Sequence, residues 1–324
     1  MKILITGGAG YIGSHVVKAL GLKGHDITVY DNLSTGHRKA VLFGELVEGD
    51  LSDHDKLEAL FGAKKFEAVL HFAGSIVVPE SVSVPLKYYQ NNTVNSHHLL
   101  TLCQKFAVNK FIFSSTAAVY GMPDDGICQE DSKLAPINPY GQSKLMTEHM
   151  LKDFSFSSDF KYVALRYFNV SGADPDGQLG QSFPEATHLI KVACEVATGK
   201  RSSIKVFGSD YNTPDGTCVR DYIHVSDLAD AHVKALEHLE KGGGSEVLNC
   251  GYGHGFSVNE VLARVIEVTG INIKIDESPR RPGDPASLTA KADRIQNVIG
   301  WKPKYDDLNL IIKSAYEWEK KRPY

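Results

Sequence analysis

The stretch from Lys2 to Asp31 constrains the fold most. Lys2–Thr6 is a short apolar run, the turn Thr6-Gly7-Gly8-Ala9-Gly10-Tyr11-Ile12-Gly13 ends it, and Tyr11–Leu22 carries Ile12, Val16 and Leu20 at helical spacing. Asp26–Tyr30 then alternates like a second strand. Strand, glycine turn, helix and strand make one βαβ unit, which requires parallel strands. Gly7 permits the tight turn, Gly10 lets a diphosphate approach the backbone, and Gly13 lets the helix pack closely. Tyr11 and Ile12 open that helix, whose free amides and dipole favour an anion. The acidic residue expected about 20 positions on in a dinucleotide site is present as Asp31, with Asn32 beside it. A carboxylate there accepts from both ribose hydroxyls of NAD and repels the 2′-phosphate of NADP, so NAD is the expected cofactor.

Further strands are expected at Glu45–Gly49, Glu67–His71, Lys110–Ser114 and Tyr162–Tyr167, alternating with helices. The fold class is therefore α/β, a doubly wound parallel (Rossmann) sheet with a second, smaller α/β substrate domain. At 324 residues the chain has room for both. Residues 1–170 are assigned to NAD binding and 171–324 to the substrate. A return segment is expected near 220–240, where DYIHV precedes a helical pattern with Asp227 as its N-cap. Asp50 and Leu51, and Phe72, Ala73 and Gly74, lie past strand ends and should wall the cofactor. His71 reads as a strand-end residue satisfied by its neighbours.

Composition narrows the function. A formal charge of −4 argues against nucleic acid as a partner, since binding it needs a basic face. The five cysteines are scattered, without CxxC or metal-ligand spacing, which points to reduced thiols, a cytoplasmic protein and no metal site. No apolar run approaches the ~18 residues that a membrane span requires.

Tyr140 and Lys144 in PYGQSK stand at i and i+4, on one helix face. A tyrosine titrates ordinarily near ~10, so acting as a base at neutrality takes about 4 kcal/mol of help. A fixed ammonium, a helix amino terminus and the positive charge of an oxidised nicotinamide all act in that direction. Upstream, Ser114, Ser115 and Thr116 put three hydroxyls at a strand end. One of them should reach the substrate, and for Ser115 a turn-forming role suffices.

The ordered motifs TGGAGYIGSH, DNLSTG, HFAG, YYQNN, SSTAAVYG, PYGQSK, RYFNVSGA and VRDYIHV resemble those of the UDP-glucose 4-epimerase family, extended short-chain dehydrogenases, over nearly the whole chain. RYFN and DYNTPDGTCVRDYIHV are the more specific. The resemblance implies interconversion of UDP-galactose and UDP-glucose at C4 through a 4-keto sugar and bound NAD. It makes Tyr140 the acid/base, Lys144 the residue that orients cofactor and tyrosine, and Thr116, a serine in many members, the hydroxyl on the sugar. It puts Asn91, Ser114, Tyr167 and Phe168 on the cofactor. Asn169, Arg220, Arg281 and Asp284 fall to the UDP moiety, and Leu189 with Lys205, Val206 and Phe207 to the uracil end. Ser287 falls where glucose/galactose-restricted members have a bulky tyrosine, so UDP-GlcNAc and UDP-GalNAc are expected substrates too. A homodimer is implied through helices near Asn91–Phe106 and Tyr140–Phe154, with Leu99, Cys103, Met146 and Met150 as candidates for its apolar face or for the chain's own core, two readings that periodicity does not separate. A uronate epimerase, a decarboxylase, a 4,6-dehydratase or a non-catalytic NAD sensor are the alternatives. The dehydratase usually has Asp-Glu where this chain has Ala117 and Ala118.

Overall fold

A computed structural model describes residues 1–183, 186–281 and 283–324. Seven strands, β1 (Lys2–Thr6), β2 (Asp26–Asp31), β3 (Glu45–Glu48), β4 (Ala68–His71), β5 (Lys110–Ser114), β6 (Lys161–Tyr167) and β7 (Glu246–Cys250), form one sheet in the order β7-β6-β5-β4-β1-β2-β3. Pairings from β3 through to β6 are all parallel, in registers such as Lys2↔Asp26, Ile3↔Ala68 and Phe111↔Tyr162. The doubly wound sheet expected from the sequence is thus present, and its order reverses direction between β1 and β4. At such a switch point the strand ends leave room for a ligand.

The strands read as unbroken apolar runs because both faces are covered. Ile3, Leu4, Ile5, Val69, Leu70, Phe111 and Ile112 are fully buried. One face packs Leu4, Phe61, Phe111, Phe113, Leu151 and Phe160 into a single cluster that also takes in Leu99 and Cys103. These last two therefore serve the chain's own core, which corrects their candidacy for a dimer face. Met150 packs partly against the same cluster, whereas Met146 stays exposed.

The chain divides into two compact units. The first comprises Met1–Val119, Ala135–Arg166 and Ala229–Leu248; the second comprises Tyr120–Leu134, Tyr167–Leu228 and Asn249–Tyr324. In the second, Phe256–Ser257, Val219–Arg220, Ser287–Ala290 and Ile127–Cys128 make a four-stranded sheet. Two strand pairs accompany it, Asn169–Ser171 with Tyr222–His224 and Ile204–Phe207 with Ile275–Ser278. Its core joins Ile190, Cys194, Val206, Val261, Leu262 and Ile311. The helix expected to start after Asp227 begins at Val225. Asp227 instead accepts hydrogen bonds from the Lys304 and Tyr305 amides and the Tyr252 hydroxyl (2.9, 2.8 and 2.7 Å), which gives its carboxylate more donors than a cap would. Among the described residues no helix is long and apolar enough to cross a membrane, and none of the His, Cys, Asp and Glu side chains gather into a group able to hold a metal.

Tight packing at the first turn makes a clear test. A Cβ on Gly13 would lie 2.2 Å from the Gly7 carbonyl oxygen, a backbone atom that cannot swing aside. Gly13→Ala is expected to lose about 1–3 kcal/mol of stability, measured by urea denaturation.

Candidate active site

The carboxyl ends of β1 and β4 touch. A Cβ on Gly7, whose φ is +72°, would lie 2.5 Å from the Ala73 amide nitrogen, so only glycine fits. The Phe72 and Ala73 amides both donate to the Thr6 carbonyl (2.9 and 3.1 Å), and the Phe72 ring packs on His232. Gly10, the N-cap of helix Tyr11–Leu22, differs: a Cβ there would meet only the Gly7 oxygen, at 3.3 Å. Its outer side is open, which is what close approach of a diphosphate requires, and first-turn amides have no acceptor within their own helix.

Asp31 is buried and shapes this turn directly. Its Oδ2 accepts from the Ala9 amide (2.9 Å) and its Oδ1 from Leu33 (2.8 Å). Burial pushes its carboxyl above the ordinary value, opposed by those two amides. Each oxygen retains a lone pair for a ribose hydroxyl. Asn32 donates to Asp50 Oδ2 (2.6 Å), and Ser52 donates from both amide and hydroxyl to Oδ1 (2.9 and 2.6 Å), holding the Asp50 carboxyl below its usual range. Leu51 is buried beside it. The glycine turn, the acid that ends β2 and the strand-end walls therefore form one cradle whose donors and acceptors suit NAD.

Tyr140 and Lys144 lie in the first turns of helix Pro139–Ser157, which Asn138 caps by accepting from the Gly141 amide (2.9 Å). Lys144 is buried, donates to the Ser114 carbonyl (2.9 Å) and sits 5.0 Å above the Phe113 ring. Burial pushes it down to about 8, with the Glu148 charge in partial opposition. Tyr140 is buried, and the Thr116 hydroxyl, which accepts from the Ala118 amide (3.1 Å), favours its ionised form. Burial raises its pKa, with the Thr116 side chain opposing, so a nearby positive charge is needed to favour the phenolate. His71 is no catalyst: Thr6 Oγ1 (2.6 Å) and Ser96 Oγ (2.8 Å) engage its two nitrogens, and burial takes it to about 3. Ser115 donates to Glu148 (2.5 Å), the structural role its position suggested.

Thr116 and Tyr140 belong to the first unit, and the other substrate candidates lie in the second. Asp284 joins two arginines, accepting from Arg281 Nε (2.7 Å) and facing Arg220 Nη2 at 3.5 Å. The Arg281 guanidinium also lies 4.8 Å from the Phe207 ring centroid. Arg280, by contrast, is occupied by Asp210 and the Tyr211 ring. Strand Ile204–Phe207 turns Val206 into the core and leaves Lys205 exposed; Leu189 packs on that core at a helix start. Asn169 pairs in register with Tyr222, and its amide donates to the Asp221 carbonyl (3.0 Å). Tyr167 ends β6, with Phe168 buried after it. The Ser287 side chain lies against Gly126, where a Cβ would come within 2.6 Å of its own.

Comparison with known proteins agrees with this geometry. The profile of the NAD dependent epimerase/dehydratase family matches residues 3–251. The chain belongs to that family. The UDP-glucose 4-epimerase of Azospirillum brasilense is 55% identical over 320 residues, covering 98% of this chain and 92% of that protein. The UDP-Glc/GlcNAc 4-epimerase from Campylobacter jejuni is 53% identical with TM-score 0.87, covering 99% of both chains. The Brucella ovis UDP-glucose 4-epimerase in complex with NAD is 45% identical with TM-score 0.95, covering 98% of both.

Within this epimerase framework, two residues escape motif reading. Asn92 sits in a π-helical turn, Tyr89–Val94, beside Asn91, which donates to Ser75 Oγ (2.9 Å). Asn92 accepts from the Ser75 amide (2.7 Å) and donates to Ser75 O and Ser143 Oγ, tying the Gly74 wall to the catalytic helix. Glu148 is the other, and its place one turn beyond Lys144 was the available signal. The Lys144 ammonium is depleted as pH rises through about 8. An activity that depends on this cation should bend downward on the alkaline side of that point, read from a kcat/KM pH profile, and should be sustained below it.

Proposed function

We propose that the chain interconverts UDP-galactose and UDP-glucose at C4 through a 4-keto sugar, with NAD retained throughout the cycle. The observation that carries this reading is the pairing of Tyr140 with a buried Lys144 one turn on along the same helix, anchored to the Ser114 carbonyl (2.9 Å). Bound NAD would accept and return one hydride. Tyr140 takes the proton of the 4-hydroxyl as hydride leaves and gives it back when the ketone is reduced from its other side. Thr116 orients that hydroxyl, and the Lys144 charge favours the phenolate. Ala117 and Ala118 carry no group able to expel water from the sugar, which disfavours the dehydratase alternative.

Arg220 and Arg281 are assigned to the UDP diphosphate, because guanidinium matches phosphate oxygens with paired planar hydrogen bonds. Asp284, which accepts from Arg281 and faces Arg220, is assigned to a ribose hydroxyl. Turnover of UDP-N-acetylhexosamines is supported by the small side chain at Ser287 and by similarity to the Campylobacter jejuni UDP-Glc/GlcNAc enzyme. A homodimer draws on the exposed apolar side chains of Val82, Val84, Leu86, Val94 and Met146, in place of Leu99 and Cys103. A cytoplasmic setting is supported by the five cysteines, all buried and outside any disulfide.

The purified chain, given UDP-galactose and no added nucleotide cofactor, should form UDP-glucose, resolved by anion-exchange chromatography. Tyr140→Phe should lower kcat by roughly 10²–10⁴-fold, while UDP still binds. No UDP-glucose from the wild-type chain after reconstitution with NAD would refute the assignment.

A further inference from the structure

Tyr140, Lys144 and Glu148 follow one another at four-residue intervals along one helix face. The Glu148 carboxylate is buried and meets donors from two other elements. Ser115 Oγ reaches its Oε1 at 2.5 Å; Arg166 reaches Oε1 through Nε at 3.0 Å and Oε2 through Nη2 at 2.5 Å. Ser115 lies between Ser114, whose carbonyl receives Lys144, and Thr116, the partner of Tyr140. The Ser115 amide in turn donates to the Leu165 carbonyl (2.9 Å), next to Arg166. A single carboxylate thus joins the catalytic helix, the end of β5 and β6, and meets β5 at Ser115, between the residues that face Lys144 and Tyr140. Stability alone does not call for an ion pair here, because matched apolar side chains usually serve a core as well or better.

We infer that Glu148 is a positioning residue for this site: it locks the Lys144-bearing helix onto Ser114–Thr116 and supplies the negative charge that keeps the Lys144 ammonium protonated. The inference rests on the roles proposed above for Tyr140 and Lys144. The surroundings of Lys144 support it. From its own helix Tyr140 and Glu148 face it; from β5, the Ser114 carbonyl and the Phe113 ring. From β4 comes His71, buried, neutral and stacked on Phe113, and from the loop after it Gly74, near Asn92. Arg166 is a cation, but it lies behind the Glu148 carboxylate that neutralises it. Glu148 is therefore the group whose charge opposes the burial of Lys144.

The test compares kcat and KM for UDP-galactose from about pH 6 to about pH 10 in the wild-type chain, Glu148→Gln and the double variant E148M/R166M. The double variant removes the ion pair as a unit and should fold even where Glu148→Gln leaves Arg166 unneutralised. The alkaline bend should move about one pH unit lower in Glu148→Gln, so that kcat beyond it falls roughly tenfold, and should move the same way by less in the double variant, which loses the nearer carboxylate but no net charge; KM and the acid-side kcat stay near wild type in both. Superimposable profiles in a folded variant would overturn the inference, as would an equal loss at every pH, which marks a structural role alone. A wild-type chain inactive on UDP-galactose would fault the proposed reaction instead.

Discussion

A buried ammonium organises this molecule's chemistry. Lys144 is removed from water, and an uncompensated cation there would be driven to release its proton. Three features keep it in place: the Ser114 carbonyl, the Phe113 ring and the charge of Glu148. Each comes from a different constraint on the fold. The carbonyl is the last of a parallel strand, the ring belongs to the sheet's apolar core, and the carboxylate is tied in turn to the neighbouring strand through Arg166. Moving the helix along its axis by one residue would break the contacts to the carbonyl and the ring and draw Glu148 away from Arg166.

The same economy holds at the dinucleotide cradle. Asp31 is both the acid for a ribose and the acceptor that draws the Ala9 amide into the glycine turn. Its removal would therefore cost turn geometry as well as a ligand contact. Gly7 and Gly13 meet backbone atoms where a Cβ would go, while Gly10 faces open space, so three glycines in one motif are required for unlike reasons. Two are excluded from bearing side chains by the protein and one by its ligand.

Local rules carried much of this into the sequence. The strand–turn–helix at Lys2–Leu22, the Asp31 position and the i, i+4 spacing of Tyr140 and Lys144 depend on neighbours close in the chain, and they are found where periodicity and turn chemistry put them. What stayed hidden depends on distant partners. Leu99 and Cys103 have the spacing of an interface stripe, and only their packing against Phe111 and Phe160 reveals a core. Asp227 looks like a helix cap until Lys304 and Tyr305 bring their amides to it. Tyr120–Leu134 follows a strand end without any change in composition, yet pairs through Ile127–Cys128 with Thr289 and Ala290. β7 is a five-residue run with a polar Asn249 and was not anticipated; its place in the sheet comes from β6, far upstream.

That placement of β7 has a consequence for biosynthesis. A chain leaving the ribosome delivers β1 to β6 in sequence, but Glu246–Cys250 emerges only after the whole of Tyr167–Leu228 has been made. Until then the outer edge of β6 presents unpaired amides and carbonyls, a template on which another nascent chain could add a strand. The interval between those two strands is thus when the polypeptide is most exposed to aggregation, and slow translation across it would call for a chaperone to cover the open edge.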